Sequence, residues 1–412
     1  MSPGIPKKYF YALLIIASTT SMLVSLYKLN QSNKIEEYSS QNPFNLFPKG
    51  DKIHSDDETP VTAENKMILL YSYLWNERTW FGLKEGQELN CVNKDIIGSC
   101  YISYNNSQLS KAAAVVFHSR SNGFTDAATM PRVSTSDEKD DQLWVYYTLE
   151  SPVHNPDPKP YNGVFDVTAT YQLNSDIVTP YGGYRELLDS DPRPPADVNY
   201  FRNKTKMVLW VVSNCGKWER EETVRLLEAN GVEVDAAGGC KGRLPDTAPN
   251  INGDWKSLGY KFYLSAENSF CEDYITEKYW RNALLGEMIP IVMGGGNYSN
   301  PKLAIPGSFI NVHDFETIAD LAKHIITISS NEELYNSYFQ WKHKYVTAPS
   351  DKRAMLICGL CGMIHNTTFH HKTRTPVDLE KFYGRGMKCG GDVAVRYGDV
   401  LRRSREEVDN QG

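Results

Sequence analysis

The second half of this chain alternates two kinds of segment, and that alternation constrains the fold more than any other feature. Met207 to Val212 is a continuous apolar run, as a parallel strand buried on both faces requires. A polar Ser213-Asn214 step follows, then a helical stretch over 219–229 with Val224, Leu226 and Leu227 on its apolar side. The same reading places strands at 231–235, 261–264, 289–293 and 308–312, and helices at 274–285 and 315–328. Strands alternating with helices imply a doubly wound α/β sheet with right-handed crossovers. Such sheets bind ligands beyond the carboxyl ends of their strands, so the polar loop after the 261–264 strand is the place to look for chemistry.

The first half is less regular. Short apolar runs at Met67 to Tyr71, Ala113 to Phe117 and Leu143 to Tyr147 read as strands. The proline-bearing stretch from Asp189 to Asp197 reads as a connector between two globular regions. With 412 residues, 41% hydrophobic and 23% charged, the chain has ordinary globular composition. Its net charge of −6 excludes a broad surface for nucleic acid but not one local basic pocket for a phosphate.

Upstream, Tyr9 to Tyr27 is a run of nineteen residues without a charge, bounded by Lys7, Lys8 and Lys28. As a helix it reaches roughly 28 Å, close to a bilayer core. It ends Ser-Leu-Tyr-Lys, a poor signal-peptidase site, so the expected element is an uncleaved anchor. The expected organisation is a cytosolic tail (1–8), a transmembrane signal-anchor (9–27), a polar stem (28–62), a first domain (63–204), a second domain (205–350) and a tail (351–412). The chain beyond the anchor is then luminal, a reading that the positive-inside rule favours. Eight cysteines, an even number, fit an oxidising compartment. Sequons at Asn30, Asn105, Asn203, Asn297 and Asn366 gain meaning from that placement.

The richest segment runs from Lys261 to Leu285, KFYLSAENSFCEDYITEKYWRNALL. A strand ending near Ser265 delivers a loop with Glu267, Asn268 and Ser269. The helix expected from about 274 puts Tyr274, Glu277, Lys278 and Arg281 on one side and Ile275, Tyr279 and Ala283 on another. A helix N-terminus with a cation and carboxylates suits a phosphorylated, hydroxyl-rich ligand. The same pattern also describes a solvated helix face carrying a Glu–Lys pair.

This segment resembles the donor-binding signature of the α1,3/1,4-fucosyltransferases, through Phe-Tyr-Leu, Glu-Asn-Ser, Asp-Tyr-Ile-Thr-Glu-Lys, Asn282-Ala283 and Pro290-Ile-Val-Met-Gly294. Glu150-Ser151-Pro152-x-His154, Thr170-Tyr171, Ser175-Asp176-Ile177, Pro180-Tyr181-Gly182, and Val212 to Gly216 with Arg220, extend the resemblance over about residues 65–365. It implies a GT-B-like fold of two facing Rossmann-like domains, behind the single N-terminal transmembrane helix and stem. It implies a GDP-β-L-fucose donor and inverting transfer to N-acetylglucosamine of a glycan. Asn214-Cys215-Gly216 with Gly238-Gly239-Cys240 looks more like the branch acting on the N-glycan core than the Lewis-antigen branch. By position, Glu150 is the expected catalytic base. Arg220 and Lys278 are expected on the diphosphate, Asn268 and Glu277 on sugar hydroxyls, and Tyr263 beside the guanosine. A Golgi location and a glycoprotein acceptor follow from the same resemblance. Antenna fucosylation and an inactive glycan-binding homologue are the rival functions.

The chain departs from the family pattern at Lys217-Trp218-Glu219, at Gln172 where the family often has arginine, and at Ser265-Ala266. No metal is expected to be required, and Mn2+ or Mg2+ at most stimulates. Asp189-Ser-Asp191 has the Asp-x-Asp form of metal-dependent transferases but sits in the connector, where chance is the better account. Cys358-x-x-Cys361 near His365, His370 and His371 has the makings of a zinc site. An oxidising lumen favours disulfides instead. The family's arrangement has Cys91 and Cys100 bridging Cys358 and Cys361. Cys215 with Cys240 is a third pair, which leaves Cys271 and Cys389.

Overall fold

The computed structural model describes residues 65–89, 91, 99–120, 142–238, 256–365 and 375–411. The Tyr9–Tyr27 run, the stem, Asn30, Cys240, Asn366, His370 and His371 lie outside the described residues. Among the described residues no helix is long and apolar enough to cross a membrane.

The architecture is mixed α/β. The first sheet contains β1 (Lys66–Leu70), β2 (Glu88–Leu89), β3 (Cys100–Ser103), β4 (Ala114–His118), β5 (Leu143–Tyr147), β6 (Val167–Thr170) and β7 (Ile177–Val178). Their order is β2-β3-β1-β4-β5-β6-β7, parallel except where β2 meets β3. Next comes β8 (Gly182–Glu186). The second sheet contains β9 (Lys206–Val211), β10 (Val234–Ala237), β11 (Tyr260–Ala266), β12 (Ile289–Met293) and β13 (Ile310–Asn311). It runs β10-β9-β11-β12-β13 and is wholly parallel. β14 (Tyr345–Pro349) returns antiparallel to β8.

Both sheets follow from hydrophobic pattern. β4 and β12 are buried at every position, as continuous apolar strands between two covering layers must be. Helix α1 (Trp218–Ala229) buries Val224, Leu226 and Leu227 against the second sheet, the side expected from sequence. Glu219 and Glu221 complement its positive end, and Glu221 accepts the Gly216 amide at 2.9 Å. Helix α2 (Ile318–Ser330) is capped by Thr317 and buries Ile318, Leu321, Ala322, Ile325 and Ile328.

Several expected bounds move. The 231–235 strand lies at Val234–Ala237, because Gly231 turns the chain with φ +82°. The 274–285 helix begins only at Lys278 and is π-wound through Leu285. Asp273 blocks an earlier start, since its φ of +57° is left-handed. β3 was not expected from sequence. It is held by Cys100 and by its parallel register with β1, both of which are set by distant parts of the chain.

The chain end returns to both sheets. Leu356, Ile357, Leu360 and Cys361 enter the core of the first. Cys91–Cys358 and Cys100–Cys361 fasten them there, across 267 and 261 residues of chain. The long terminal helix α3 (Gly391–Gln411) packs instead on the second, through Tyr397, Val400 and Leu401.

Candidate active site

The loops that follow β5 and β11 meet across the two sheets: the Ser269 hydroxyl donates to Ser151 Oγ at 2.7 Å, and both residues are buried. One cleft therefore receives the carboxyl ends of strands from both sheets, where ligand sites of parallel sheets lie.

On the first sheet's side, Glu150 follows β5. Asn155 shapes its turn by donating to the carbonyls of Glu150 (2.9 Å) and Ser151 (2.8 Å). The Tyr181 hydroxyl holds the Leu149 carbonyl at 2.7 Å. The Glu150 side chain is 19% exposed, with Arg120 Nη1 at 3.7 Å. Burial pushes its carboxyl up, while Arg120 and Lys278 oppose that shift. Arg120 also lies 4.8 Å from the centre of the Trp75 ring. Trp75 is 40% exposed and has a left-handed φ of +57°. His118, at the end of β4, is held neutral at ordinary pH; burial and then Arg120 lower it to about 4.

On the second sheet's side, Glu267 follows β11 and is fully buried. It accepts from the Thr276 amide (2.8 Å), the Thr276 hydroxyl (2.9 Å) and Lys278 Nζ (2.9 Å). Lys278 also reaches Glu277 at 3.4 Å. Burial opposes the charge on Lys278, but Glu267 and Glu277 outweigh it and hold the ammonium above its ordinary value. The loop packs down because β12 is followed by Gly294-Gly295-Gly296: a Cβ at Gly295 would sit 2.4 Å from the Cys271 nitrogen.

Arg220, on α1, is 3% exposed and points under this loop. It donates to the carbonyls of Asn214 and, at 3.5 Å, Ala266. Its Nε is buried with no partner among the described residues. A guanidinium N–H left open beneath the polar loop is a donor available to an anionic group. His154 Nε2 is likewise buried and unpartnered, and Lys217, Arg120 and Arg220 all bear on that ring after its burial.

The chain carries two matching family regions: the N-terminal fucosyltransferase region over residues 63–182 and the C-terminal region of glycosyltransferase family 10 (fucosyltransferase) over 201–381. It belongs to glycosyltransferase family 10. Human 4-galactosyl-N-acetylglucosaminide 3-alpha-L-fucosyltransferase FUT6 is 31% identical over 324 residues, covering 78% of this chain and 85% of that protein. Glycoprotein 3-alpha-L-fucosyltransferase A of Drosophila melanogaster is 30% identical, covering 80% of this chain and 62% of its own. A crystal structure of an alpha1,3-fucosyltransferase with GDP-fucose aligns with a TM-score of 0.47 at 16% identity, over 77% of this chain and 96% of that one. The protein is thus a glycosyltransferase enzyme of the α1,3-fucosyltransferase kind.

Within this family-10 fold, Glu150, Arg220, Asn268, Glu277 and Lys278 gather at the cleft. Asn268 is half-buried, and its Oδ1 accepts from Ser269 at 3.2 Å. Tyr263 does not join them. It is fully buried with Leu209, Tyr260, Ala283 and Met288, and its hydroxyl accepts from Asn282 at 2.9 Å. It sits in the middle of β11, three residues before the strand's end, so the aromatic ring expected beside guanosine is a core residue.

The Gln172 side chain is buried with both amide atoms unpartnered among the described residues. Cys215 is disulfide-bonded, while its expected partner Cys240 lies outside the described residues. Cys271 and Cys389 are bonded to each other. The sulfurs of the Cys-x-x-Cys motif are in disulfides, and His365 turns to the Ser99 carbonyl at 3.0 Å. Asn105, Asn203 and Asn297 are exposed.

Three participants escaped the sequence reading. Arg120 lies just beyond a recognised strand, so the strand-end rule alone could have flagged it. Lys352, whose Nζ is 4.2 Å from the Tyr181 ring centre, gave no motif signal. Burial lowers its ammonium, and Glu277 and Glu150 bear on it. Tyr383 enters from 233 residues away.

Proposed function

We propose that this enzyme transfers L-fucose from GDP-β-L-fucose, with inversion, in α1,3 linkage to N-acetylglucosamine of a glycoprotein glycan. The observation that carries this reading is the single cleft with Glu150 on one wall and the open Arg220 Nε on the other. In the reaction, Glu150 takes the proton from the acceptor hydroxyl as that oxygen bonds to fucose C1. The bond from C1 to the diphosphate oxygen breaks on the opposite face, which turns a β-linked donor into an α-linked product. The electron pair leaves with GDP. Arg220 and Lys278 stabilise the charge that grows there. Asn268 and Glu277 orient sugar hydroxyls.

In this reading the first domain (63–204) serves the acceptor, the second domain (205–350) holds the nucleotide in a GT-B-like arrangement, and the disulfide-linked tail (351–412) ties back to the first. The Tyr9–Tyr27 run anchors the enzyme in the Golgi membrane with the cleft luminal. No metal is required. The sequence motifs Asn214-Cys215-Gly216 and Gly238-Gly239-Cys240 support the N-glycan core as acceptor. Antenna N-acetyllactosamine is the second reading, supported by the likeness to the galactosyl-N-acetylglucosaminide enzyme.

The test is transfer by a secreted form starting near residue 60, offered a panel of nucleotide sugars with truncated N-glycans and N-acetyllactosamine. A deoxyhexose mass gain on core glycans with GDP-fucose alone is expected. Gain only on N-acetyllactosamine moves the enzyme to the second reading, and transfer from a UDP-sugar overturns both.

A further inference from the structure

The chain segment after residue 376 contacts both of the loops that meet at the site. Val377 pairs with the first sheet's flank: its amide donates to the Phe165 carbonyl at 2.9 Å, and its carbonyl accepts from Gly163 at 3.0 Å. The Glu380 amide donates to Asn162 Oδ1 at 2.9 Å. Tyr383 and Cys389, with five residues between them, are two kinds of anchor. The Tyr383 hydroxyl donates to the backbone carbonyl of Glu150, and Arg385 donates to the Val153 carbonyl at 2.9 Å. Cys389 is bonded to Cys271, inside the loop that carries Asn268 and Glu277. Around that bond, the Glu272 amide donates to the Lys388 carbonyl (2.8 Å), the Gly390 amide to the Phe270 carbonyl (2.7 Å), and Lys388 Nζ to Glu272 (2.7 Å). Between the anchors the chain is compact, with short helices at Leu379–Tyr383 and Arg385–Lys388. Beyond them α3 locks onto the second sheet's helices, where Ser404 accepts the Ile318 amide at 2.8 Å and Arg405 pairs with Glu222 at 2.6 Å.

We propose that residues 377–390 form a strap that sets the distance between the base and the donor loop, with Tyr383 as a positioning residue for Glu150. The strap rests on the reading of Glu150 as the base. A short helical spacer, bonded covalently to one loop and hydrogen-bonded to the peptide from which the base projects, leaves that base little freedom to drift. Tyr383 is fully buried between Tyr146 and Tyr171, so its ring is fixed before its hydroxyl acts. The Glu150 carbonyl keeps a second donor, Asn155, at 2.9 Å. Removing the Tyr383 hydroxyl therefore does not leave the Glu150 carbonyl without a donor.

The experiment is Tyr383→Phe in the full luminal region, alone and combined with Glu150→Gln. Loss of positioning costs roughly 10- to 100-fold in rate when a reacting group shifts by about an ångström. Expected for Tyr383→Phe is a fall in kcat of that order, with the KM for GDP-fucose and the affinity for GDP unchanged and the melting temperature nearly so. In the Glu150→Gln background the same change is expected to cost nothing further, because the group it positions is gone. A Cys271→Ser, Cys389→Ser double variant frees the other end, and it is expected to raise the donor KM as well as lower kcat. Parallel losses of GDP affinity and kcat in Tyr383→Phe overturn the strap, as does an undiminished cost in the Glu150→Gln background. Full activity of Glu150→Gln by itself removes the base assignment, and the strap with it.

Discussion

Glu150 and Glu267 end parallel strands from different sheets, and each meets a cation, yet the protein treats them in opposite ways. Glu267 is fully buried and both of its oxygens are committed, to Thr276 and to Lys278. Glu150 keeps a face toward the cleft, and its cation stands at 3.7 Å. The difference teaches that the number of acceptor sites the fold has already filled decides what a carboxylate can do. A saturated carboxylate builds the loop and holds a cation in place. An unsaturated one has lone pairs left for a substrate proton.

The largest expected effect tests the open member. Glu150→Gln preserves size and hydrogen-bonding shape and removes only the proton acceptor. A general base contributes about 10²- to 10⁴-fold, so kcat should fall by that order while GDP binding, followed by calorimetry, stays unchanged. Retained turnover would end the distinction between the two carboxylates.

The saturated member should fail differently. Glu267→Gln leaves Lys278 buried with only the half-exposed Glu277 as counter-charge. Breaking a buried pair costs about 3–5 kcal/mol, and the surviving Glu277 contact places this variant at the lower end. A denaturant midpoint should drop accordingly, together with donor affinity. An unchanged midpoint with lost turnover would make Glu267 a chemical participant.

The third effect is a shift in pH profile. With Glu150 as the proposed base, which must be ionised to act, kcat/KM is expected to rise with pH through its pKa, which burial has raised. Arg120 favours the ionised form. Arg120→Ala should therefore move the acid limb to higher pH, and leave the alkaline limb where it is. The stability sign runs the other way: a carboxyl whose folded pKa is raised contributes stability below its unfolded value and loses it as pH rises through the folded one. An acid limb that stays put would show that Arg120 serves the acceptor and not the base.

These carboxylates also mark how far the sequence could be read. The loop that carries Glu267, Asn268 and Glu277 was legible, because β11, β12 and the glycines after it are local patterns with a fixed spacing. Glu150 was legible through the residues beside it. The partners that tune these groups were not. Arg120, Lys352 and Tyr383 each arrive from a separate stretch, and no periodicity records which strand end faces which. Tyr263 shows the converse error. Its motif neighbours line the cleft, but its own position in mid-strand sends the ring into the core. The late start of the 278–285 helix had a local cause, the left-handed Asp273, that residue type alone does not announce.

The smallest expected effect concerns a second acidic pair, Asp189 and Asp191, which share the spacing of metal-binding transferases. Asp191 is saturated like Glu267: Arg185 takes both of its oxygens, at 2.5 and 2.8 Å, and holds it down at about 2. Asp189 is open, as Glu150 is, but it stands in solvent with only Arg193 nearby at 3.9 Å. Openness without a cleft gives a carboxylate no substrate to act on, and a lone exposed oxygen pair binds a cation weakly. Asp189→Asn should therefore leave turnover and any response to added Mn2+ or to a chelator indistinguishable from the parent. A lost metal response in this variant would show that the connector, and not the cleft alone, shapes the enzyme's ionic requirements.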